Sequence, residues 1–231
     1  MSLTFALDCT NGNFTAALTE EGRLIDSVNH YPFKEAAEYV AIWLRNALEE
    51  QGLEAKNIRD YISVAGPGGF SGVRTGTSMI SAMALVTGGR IKTLSSLEAL
   101  ALSSDKRKSH LVVSCLNAKR NGVYIGAYRD IGTSFEHVIS EQLLDKDQLQ
   151  DFCIENFKDQ KLILCGHGHE IIAPYFGQDM IIDVIDTSDA ALFIKNADLI
   201  NSSRAHAPLY LRAADAAIGK KKFDTPRITT L

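Results

Sequence analysis

The sequence lacks the marks of a disulfide-stabilised, membrane-spanning or exported protein. Its 231 residues contain only four cysteines, Cys9, Cys115, Cys153 and Cys165, and their scattered positions fit buried reduced thiols better than a disulfide framework or a zinc site. No apolar run approaches the roughly 20 residues that a membrane-spanning helix needs. The N-terminus leads directly into a strand-like segment without a basic leader. We therefore expect a soluble, cytoplasmic protein with no membrane partner.

Recognisable catalytic and metal-binding patterns are also missing. No two histidines have the i, i+4 spacing of a helical zinc motif, and His167 and His169 form an i, i+2 pair on a turn without a clear third ligand. No Gly-x-Ser-x-Gly nucleophile motif occurs. The formal net charge of -4 argues against a protein that binds nucleic acid over its whole surface, but not against work in a larger assembly that handles RNA. We predict no catalytic residue and no metal site.

Both halves of the chain repeat one order of predicted elements. In each half, three strand-like segments precede a helix and a further strand, and the third strand of the second half is a weak run near 137–140. The segment 103–109 is small and charged, which is typical of a boundary. We expect an α/β protein of two similar lobes, residues 1–105 and 106–231, each a mixed sheet flanked by helices.

The densest cluster of glycines lies between an apolar strand and a long helix predicted over about 73–87. Glycines permit positive φ and close approach of the backbone, and a helix N-terminus attracts anions. The cluster is either a phosphate cradle or a tight turn that packs a helix against a sheet. The second interpretation is favoured because no Lys-Ser/Thr pair completes a Walker motif. The glycines of this turn are Gly66, Gly68, Gly72 and Gly76.

A polar turn follows the first predicted strand. Asp8 ends that strand, where open α/β sheets often hold functional groups, and Thr10 follows it in the turn. The pattern resembles the first phosphate turn of the actin-like ATPases, in which an aspartate and nearby hydroxyls hold a metal–water shell and a nucleotide phosphate. Alternatively, Asp8 only caps its own turn, which is the commoner role of such an aspartate. Asp8 and Thr10 are candidate nucleotide or phosphate contacts.

Two helices carry more apolar surface than one core contact needs. The helix predicted up to about Gln51 has an apolar stripe that Tyr39 and Ile42 widen. The helix over about 73–87 is small on one side and apolar nearly all round. Either both helices are buried inside the protein, or a partner helix packs on the small, methionine-rich face. The candidate partner contacts are Tyr39, Val40, Trp43, Thr75, Met79, Ala82, Met83 and Val86.

Five segments in order resemble one protein family over nearly the whole chain. They are Leu7-Asp8-Cys9-Thr10, the segment from Gly66 to Gly76, Ser95-Ser96-Leu97-Glu98-Ala99-Leu100-Ala101, the segment from Asn117 to Tyr124, and Ala207-Pro208-Leu209-Tyr210-Leu211-Arg212. Together they resemble the TsaB (YeaZ) family, the non-catalytic subunit of the bacterial machinery that makes threonylcarbamoyladenosine in tRNA. Asn117 stands where the family has aspartate, and Lys119 where it has arginine.

The resemblance implies a degenerate two-lobed actin-like, ribonuclease-H-like ATPase fold and a pseudo-enzyme with no cofactor of its own. It implies pairing with the catalytic TsaD subunit through the two helices, joined by the ATPase TsaE, with tRNA bound only through the complex. ATP and a metal would be held by those partner subunits. Lys119 becomes a further candidate nucleotide contact. We also expect the terminal segment, about 207–222, to pack back on the first lobe.

Two alternative functions stay open. Asp8, Thr10 and the glycine turn would also suit an active actin-like ATPase or sugar kinase that binds MgATP by itself. A metallopeptidase is the weakest alternative, raised by a glycoprotease label in the wider family and opposed by the lack of a helical histidine pair. Exposed apolar helices would further allow a homodimer in place of the heterodimer when the partner is absent.

Overall fold

The framework of the protein is a pair of five-stranded sheets. The structure is a computed structural model, and it describes residues 2–30, 36–119, 122–200 and 204–211. The strands of the first sheet are β1 Leu3–Asp8, β2 Phe14–Glu20, β3 Arg23–His30, β4 Ile58–Val64 and β5 Arg90–Leu94. The strands of the second sheet are β6 Leu111–Asn117, β7 Gly122–Asp130, β8 Phe135–Asp145, β9 Leu162–Cys165 and β10 Ile181–Ile185.

The two sheets share one topology. The first has the order β3-β2-β1-β4-β5, and the second has the equivalent order when read from β8 to β10. In each, the opening strand pairs antiparallel with the next strand and parallel with the strand that follows the first long helix. The duplicated mixed sheet confirms the predicted two-lobed actin-like, ribonuclease-H-like fold.

Helices cover both faces of both sheets. The α-helices are α1 Ala36–Glu50, α2 Phe70–Thr87, α3 Ser96–Leu102, α4 Leu149–Phe157, α5 His169–Ile172 and α6 Ala190–Asn196. Helices α1 and α2 lie on the outer face of the first sheet, and α4 and α5 lie on the outer face of the second. Helices α3 and α6 lie between the sheets and contact each other. Helix α3 packs on β6, β7 and β9 of the second sheet, and α6 packs on β1, β2 and β3 of the first.

Alternation along the strands assigns side chains to these layers. In β1, Leu3, Phe5 and Leu7 belong to the outer core under α1 and α2, while Ala6 faces the central core. Successive residues of a strand point to opposite faces, so a strand covered on both sides is apolar throughout. The central core combines residues of both lobes, and the lobes are therefore packed together around α3 and α6.

Helix α3 begins where the sequence places a capping box. The Ser95 hydroxyl accepts a hydrogen bond from the Glu98 amide at 2.9 Å, and the Glu98 carboxylate accepts one from the Ser95 amide at 2.6 Å. Both ends of the box satisfy amides that a buried helix start would otherwise leave unpaired. Every residue of α3 is buried, which explains its almost wholly apolar sequence.

The observed elements differ from the sequence expectations at a few places. Strand β8 extends over eleven residues, where the sequence suggests only a weak run near 137–140. Its charged and polar residues are tolerated because it is an edge strand and is largely exposed on one side. Helix α2 begins at Phe70, one turn earlier than predicted. The sequence predicts that the first long helix begins at Pro32, and residues 32–35 lie outside the described residues.

The chain after α6 returns to the first lobe. The Leu209 amide donates a hydrogen bond to the Ala65 carbonyl at 2.6 Å, and the Tyr210 ring stacks on Phe70 with centroids 5.3 Å apart. The expectation for 207–222 concerns residues that are described only up to Leu211, and the rest lies outside the described residues. None of the helices in the described part of the chain combines the length and apolarity needed to cross a bilayer.

Candidate functional site

The Asp8 turn is used in contacts between the lobes. Asp8 is 2% exposed, and its Oδ1 accepts hydrogen bonds from the Thr10 amide at 2.8 Å and the Thr10 hydroxyl at 2.7 Å. Its Oδ2 accepts one from the hydroxyl of Ser188, in the second lobe, at 2.5 Å. Burial raises the pKa of Asp8, although these hydrogen bonds oppose the shift. The carboxylate thus has three protein donors around it.

The Thr10 hydroxyl also has hydrogen-bond partners within the protein. Its hydroxyl accepts a hydrogen bond from the Ser96 hydroxyl, at the start of α3, at 2.8 Å. Nearby, the Thr15 hydroxyl accepts one from the Ala190 amide, at the start of α6, at 2.9 Å. Both central helices therefore begin against the turn that was a candidate phosphate contact. Asp8 and Thr10 lie together, and the partners in these hydrogen bonds belong to the chain itself.

The glycine turn closes on this same region. The Gly69 amide donates to the Thr10 carbonyl at 2.7 Å, and a Cβ on Gly68 would collide with that carbonyl oxygen. Gly66 has φ +105°, which an L side chain rarely adopts, and a Cβ there would lie 2.7 Å from the Leu209 carbonyl oxygen. Gly66 and Gly68 therefore lie tightly against the backbone of the returning chain and of the Asp8 turn.

The remaining turn glycines lie inside α2. Gly72 and Gly76 are both buried. A Cβ on Gly76 would lie 3.4 Å from the Cβ of Cys9, which is an ordinary contact distance. Gly76 therefore faces the end of β1 without a close approach that only glycine would allow. Gly66, Gly68 and Gly76 lie at one junction between β1, α2 and the returning chain.

Lys119 lies in a different turn, between β6 and β7. Its backbone has φ +56°, and its amide donates to the Asn117 side chain at 2.9 Å. Its charge contributes, after burial and the charge of His169, to the lowered pKa of His167. His169 Nδ1 is 3.3 Å from Asp186. The described contacts of Lys119 are therefore with the second lobe, and do not include Asp8 or Thr10.

A group that the sequence did not reveal lies between the lobes. Glu98 of α3 meets His137 and Glu141 of β8, with Glu98 Oε1 at 3.1 Å from His137 Nε2. Arg204 Nη2 is 3.4 Å from Glu98 Oε1 and 3.4 Å from Glu141 Oε2. Glu98 is 39 residues from His137 and 43 from Glu141, so no local motif could have joined it to the other two potential metal ligands. The Arg204 guanidinium thus bridges the two carboxylates.

The charges in this cluster support one another. Burial would raise the pKa of Glu98, but hydrogen bonds from His137 and the Ser95 amide, with the Arg204 charge, bring it below its usual value. The hydrogen bond to Glu98 raises the pKa of His137, despite partial burial. The Glu141 carboxylate accepts hydrogen bonds from the hydroxyls of Tyr128 and Ser95. The cluster therefore links α3, β8 and the segment 204–211 through ionic contacts.

A broad apolar surface lies on the outside of α1 and α2, and we call it the docking face. Its large apolar side chains are strongly exposed: Leu85 is 85% and Val86 87% exposed, with Tyr39 at 42% and Ile42 at 44%. An isolated exposed apolar residue needs no explanation, but a patch of them indicates a contact surface. Ala82 is exposed on the same helix as Leu85. Leu85 and Val86 have the largest exposed fractions among the large apolar side chains of the described residues.

The other predicted contacts sit at the edge of this face or beneath it. Met79, Met83 and Thr75 are half-buried. Trp43 is also half-buried, and its indole Nε1 donates to Asp26 at 2.8 Å. Val40 is a correction to the predicted set, because it is fully buried against the sheet and supports the face from below.

A groove runs between α1 and α2 within the docking face. It has a volume of about 640 Å³. Its floor is apolar, and Arg45, Glu49 and Glu54 lie along the α1 side. We call it the α1/α2 groove, and its lining includes Leu44, Leu48, Leu53, Ile58, Tyr61, Ala82, Met83 and Val86.

The segment 204–211 lies along the opposite side of α2. The ring of His206 is 2.9 Å from the Ser81 hydroxyl and 3.3 Å from Thr93 of β5. Further on, Arg74 lies over the Phe70 ring at 3.8 Å and donates to the Tyr210 hydroxyl at 3.3 Å. The segment therefore fixes α2 from the β5 side and leaves the α1 side open.

Comparisons with known proteins cover most of the chain. Residues 33–222 match a family model described as TsaD, tRNA N6-adenosine threonylcarbamoyltransferase. A relative from Bacillus subtilis (strain 168), described as tRNA threonylcarbamoyladenosine biosynthesis protein TsaB, is 25% identical over 182 residues, which are 79% of this chain and 76% of the relative.

Two solved structures share the fold at 20% sequence identity. One is YeaZ from Pseudomonas aeruginosa, with a TM-score of 0.73 over 85% of this chain and 91% of that chain. The other is described as an uncharacterized protein with similarity to peptidase YeaZ from Pseudomonas aeruginosa, with a TM-score of 0.75 over 92% of this chain and 100% of that chain. The fold described above therefore recurs in both solved structures.

Proposed function

This chain belongs to the family described as TsaD, tRNA N6-adenosine threonylcarbamoyltransferase, and within it to the TsaB (YeaZ) proteins, and we propose that it is a non-catalytic scaffold subunit that pairs with TsaD. Family membership supports a role in the biosynthesis of threonylcarbamoyladenosine in tRNA. In the proposal, this chain binds TsaD through the docking face, TsaE joins the pair, and tRNA contacts the complex. ATP and the metal are held by those other subunits.

The observation that carries the proposal is the docking face itself. Leu85 and Val86 expose most of their surface on the outside of the first lobe, beside an open apolar groove. Burying a valine side chain completely is worth about 1.5–3 kcal/mol, and each 1.4 kcal/mol is about tenfold in affinity. A helical partner that covered both residues and filled the groove would gain a well-packed apolar centre of the kind that dominates stable interfaces.

The Asp8 turn supports a scaffold role over the alternative enzymes. An active ATPase or sugar kinase would need the carboxylate of Asp8 to face a metal–water shell, whereas it accepts three hydrogen bonds from Thr10 and Ser188. The potential metal ligands Glu98, His137 and Glu141 enclose Arg204, an arrangement that suits an ionic contact between lobes better than a peptidase centre.

The pairing is tested with TsaD from the same genome and a substitution on the docking face. We expect Val86→Asp to weaken binding at least about 100-fold, because an unpaired charge would be buried in an apolar contact. Val86 is a sharper position than Met83, which is half-buried and also packs on the outer core. Ile154→Asp is the matched control, since Ile154 is 49% exposed on α4 of the second lobe.

Binding is measured by calorimetry, and function by a reconstituted tRNA modification assay with and without this chain. Both variants should keep the circular dichroism spectrum and melting temperature of the wild type. Normal binding by Val86→Asp together with loss of binding by Ile154→Asp would move the interface to the second lobe. Unchanged tRNA modification in the absence of this chain would overturn the scaffold role. Without TsaD, we expect the same face to pair two copies of the chain.

A further inference from the structure

The α1 side of the groove ends in acidic residues. Helix α1 finishes with Glu49 and Glu50 and has no basic residue in its last turn. Carboxylates at the C-terminal end of a helix oppose its dipole, so a cation from elsewhere would be favourable there. Glu49 has only Arg45 at 3.9 Å, Glu54 pairs with Lys56 at 2.8 Å, and Glu50 has no ion pair within the described residues. At this end of the groove, three carboxylates therefore outnumber two basic side chains, Arg45 and Lys56, beside an apolar floor.

The described chain ends at the start of α2, on the side of that helix opposite the groove. Leu211 follows Tyr210, which stacks on Phe70 in the first turn of α2. Along α2, the distance from Phe70 to Met83 in the groove is about 20 Å at 1.5 Å per residue. Residues 212–222 can span up to about 35 Å when extended. The chain beyond Leu211 is therefore long enough to pass around the start of α2 and to reach the groove.

The composition of the chain beyond Leu211 matches the groove. Residues 212–231, which we call the tail, contain five basic side chains and two aspartates. Lys220, Lys221 and Lys222 stand directly before Phe223. An aromatic side chain suits a buried apolar pocket, and a neighbouring run of lysines suits an acidic rim.

We propose that the tail binds the α1/α2 groove of its own chain, with Phe223 on the apolar floor and the three lysines along Glu49, Glu50 and Glu54. The tail then competes with TsaD for part of the docking face, a consequence that rests on the proposed function. A tethered segment acts at an effective concentration of about 1 mM, so a contact with a dissociation constant of about 0.1–1 mM would weaken partner binding by about two- to tenfold.

The test places a photo-crosslinker in the full-length chain. Phe223→benzoylphenylalanine should crosslink to groove residues such as Met83 or Leu48, as read by mass spectrometry of the monomer band at low protein concentration. Leu231→benzoylphenylalanine is the control at the end of the tail, and should give much less groove product. The triple substitution Lys220→Glu, Lys221→Glu and Lys222→Glu should remove most of the Phe223 crosslink. Adding Glu49→Lys and Glu54→Lys to it should restore part of the yield.

The outcomes separate the tail contact from the proposed function. A Phe223 crosslink that joins two chains, lies outside the groove or does not form overturns the inference. If TsaD binding is lost in Val86→Asp but no groove crosslink forms, the scaffold role stands and the tail contact fails. If the intramolecular crosslink forms but TsaD does not bind, the tail contact stands alone. Where both hold, the triple lysine variant should bind TsaD about two- to tenfold more tightly.

Discussion

Replacement of Asp8 distinguishes a structural clamp from a nucleotide ligand. In the structure, Asp8 joins the end of β1 to its own turn through Thr10 and to the second lobe through Ser188. Asp8→Ala removes all three hydrogen bonds and leaves a buried amide and two buried hydroxyls without this acceptor. Hydrogen bonds to charged groups contribute about 1.5–3 kcal/mol each. The release of a buried charge offsets part of that sum, so we expect a net loss of about 3 kcal/mol in the free energy of unfolding.

Asp8→Asn and Ser188→Ala sharpen the test. Asparagine keeps an acceptor oxygen for Thr10 and places an amide donor near the Ser188 hydroxyl, so it should cost about 1 kcal/mol. Ser188→Ala removes one of the three hydrogen bonds, and we expect a cost of about 1.5–2 kcal/mol. The double variant Asp8→Ala with Ser188→Ala should be less destabilised than the sum of the single variants, because both remove the same contact.

The assay is urea denaturation followed by fluorescence and circular dichroism. Asp198→Ala is the control: its carboxylate is fully exposed and pairs with Lys92 at 3.2 Å, so its loss should change stability by less than about 0.5 kcal/mol. An Asp8→Ala variant as stable as the wild type, or more stable, would refute the clamp. That result is typical of residues kept for ligand binding at a cost in stability.

Three further predictions follow from the same contacts. Gly68→Ala should destabilise the protein by about 1–3 kcal/mol, since its Cβ meets the Thr10 carbonyl; Gly69→Ala, whose Cβ would lie 3.6 Å away, should be nearly neutral in the same melting experiment. Because the pKa of His137 is raised, its ionic contact stabilises the fold fully below the ordinary histidine pKa and is lost as the pH rises through the raised pKa. The difference in melting temperature between the wild type and His137→Gln should therefore shrink from pH 5.5 to 8.5. A constant difference would contradict this. Calorimetry of the isolated chain with MgATP should show no binding, and a saturable heat that Asp8→Asn abolishes would revive the ATPase alternative.

Features with a local cause were accessible from the sequence. The capping box of α3 needs only Ser95 and Glu98 three residues apart, and the structure contains both of its hydrogen bonds. The apolar stripe of α1 predicts the helix because its buried positions recur at helical spacing. The stripe could not show which of its residues face the sheet. Val40 is buried and Tyr39 exposed, a difference fixed by how α1 lies on β2 and β3.

Features with distant causes were not accessible. Arg204 meets Glu98 across 106 residues, and Ser188 meets Asp8 across 180. Neither pair has a spacing that a sequence pattern could reveal, because each depends on the packing of the two lobes. The length of β8 was underestimated for a related reason: an edge strand with polar residues lacks the alternation that marks a half-buried strand.

The glycine turn shows why a phosphate cradle and a packing junction look alike in sequence. Both need backbone that can approach another group closely, and both are followed by a helix N-terminus. A phosphate cradle and a packing junction differ in the group that lies against the glycines, which is a ligand in the first and the protein's own backbone in the second. Here the Thr10 carbonyl faces Gly68 and the Leu209 carbonyl faces Gly66, so the turn holds α2 between the Asp8 turn and the returning chain. Because α2 carries Val86, these contacts also help to fix the position of that part of the docking face.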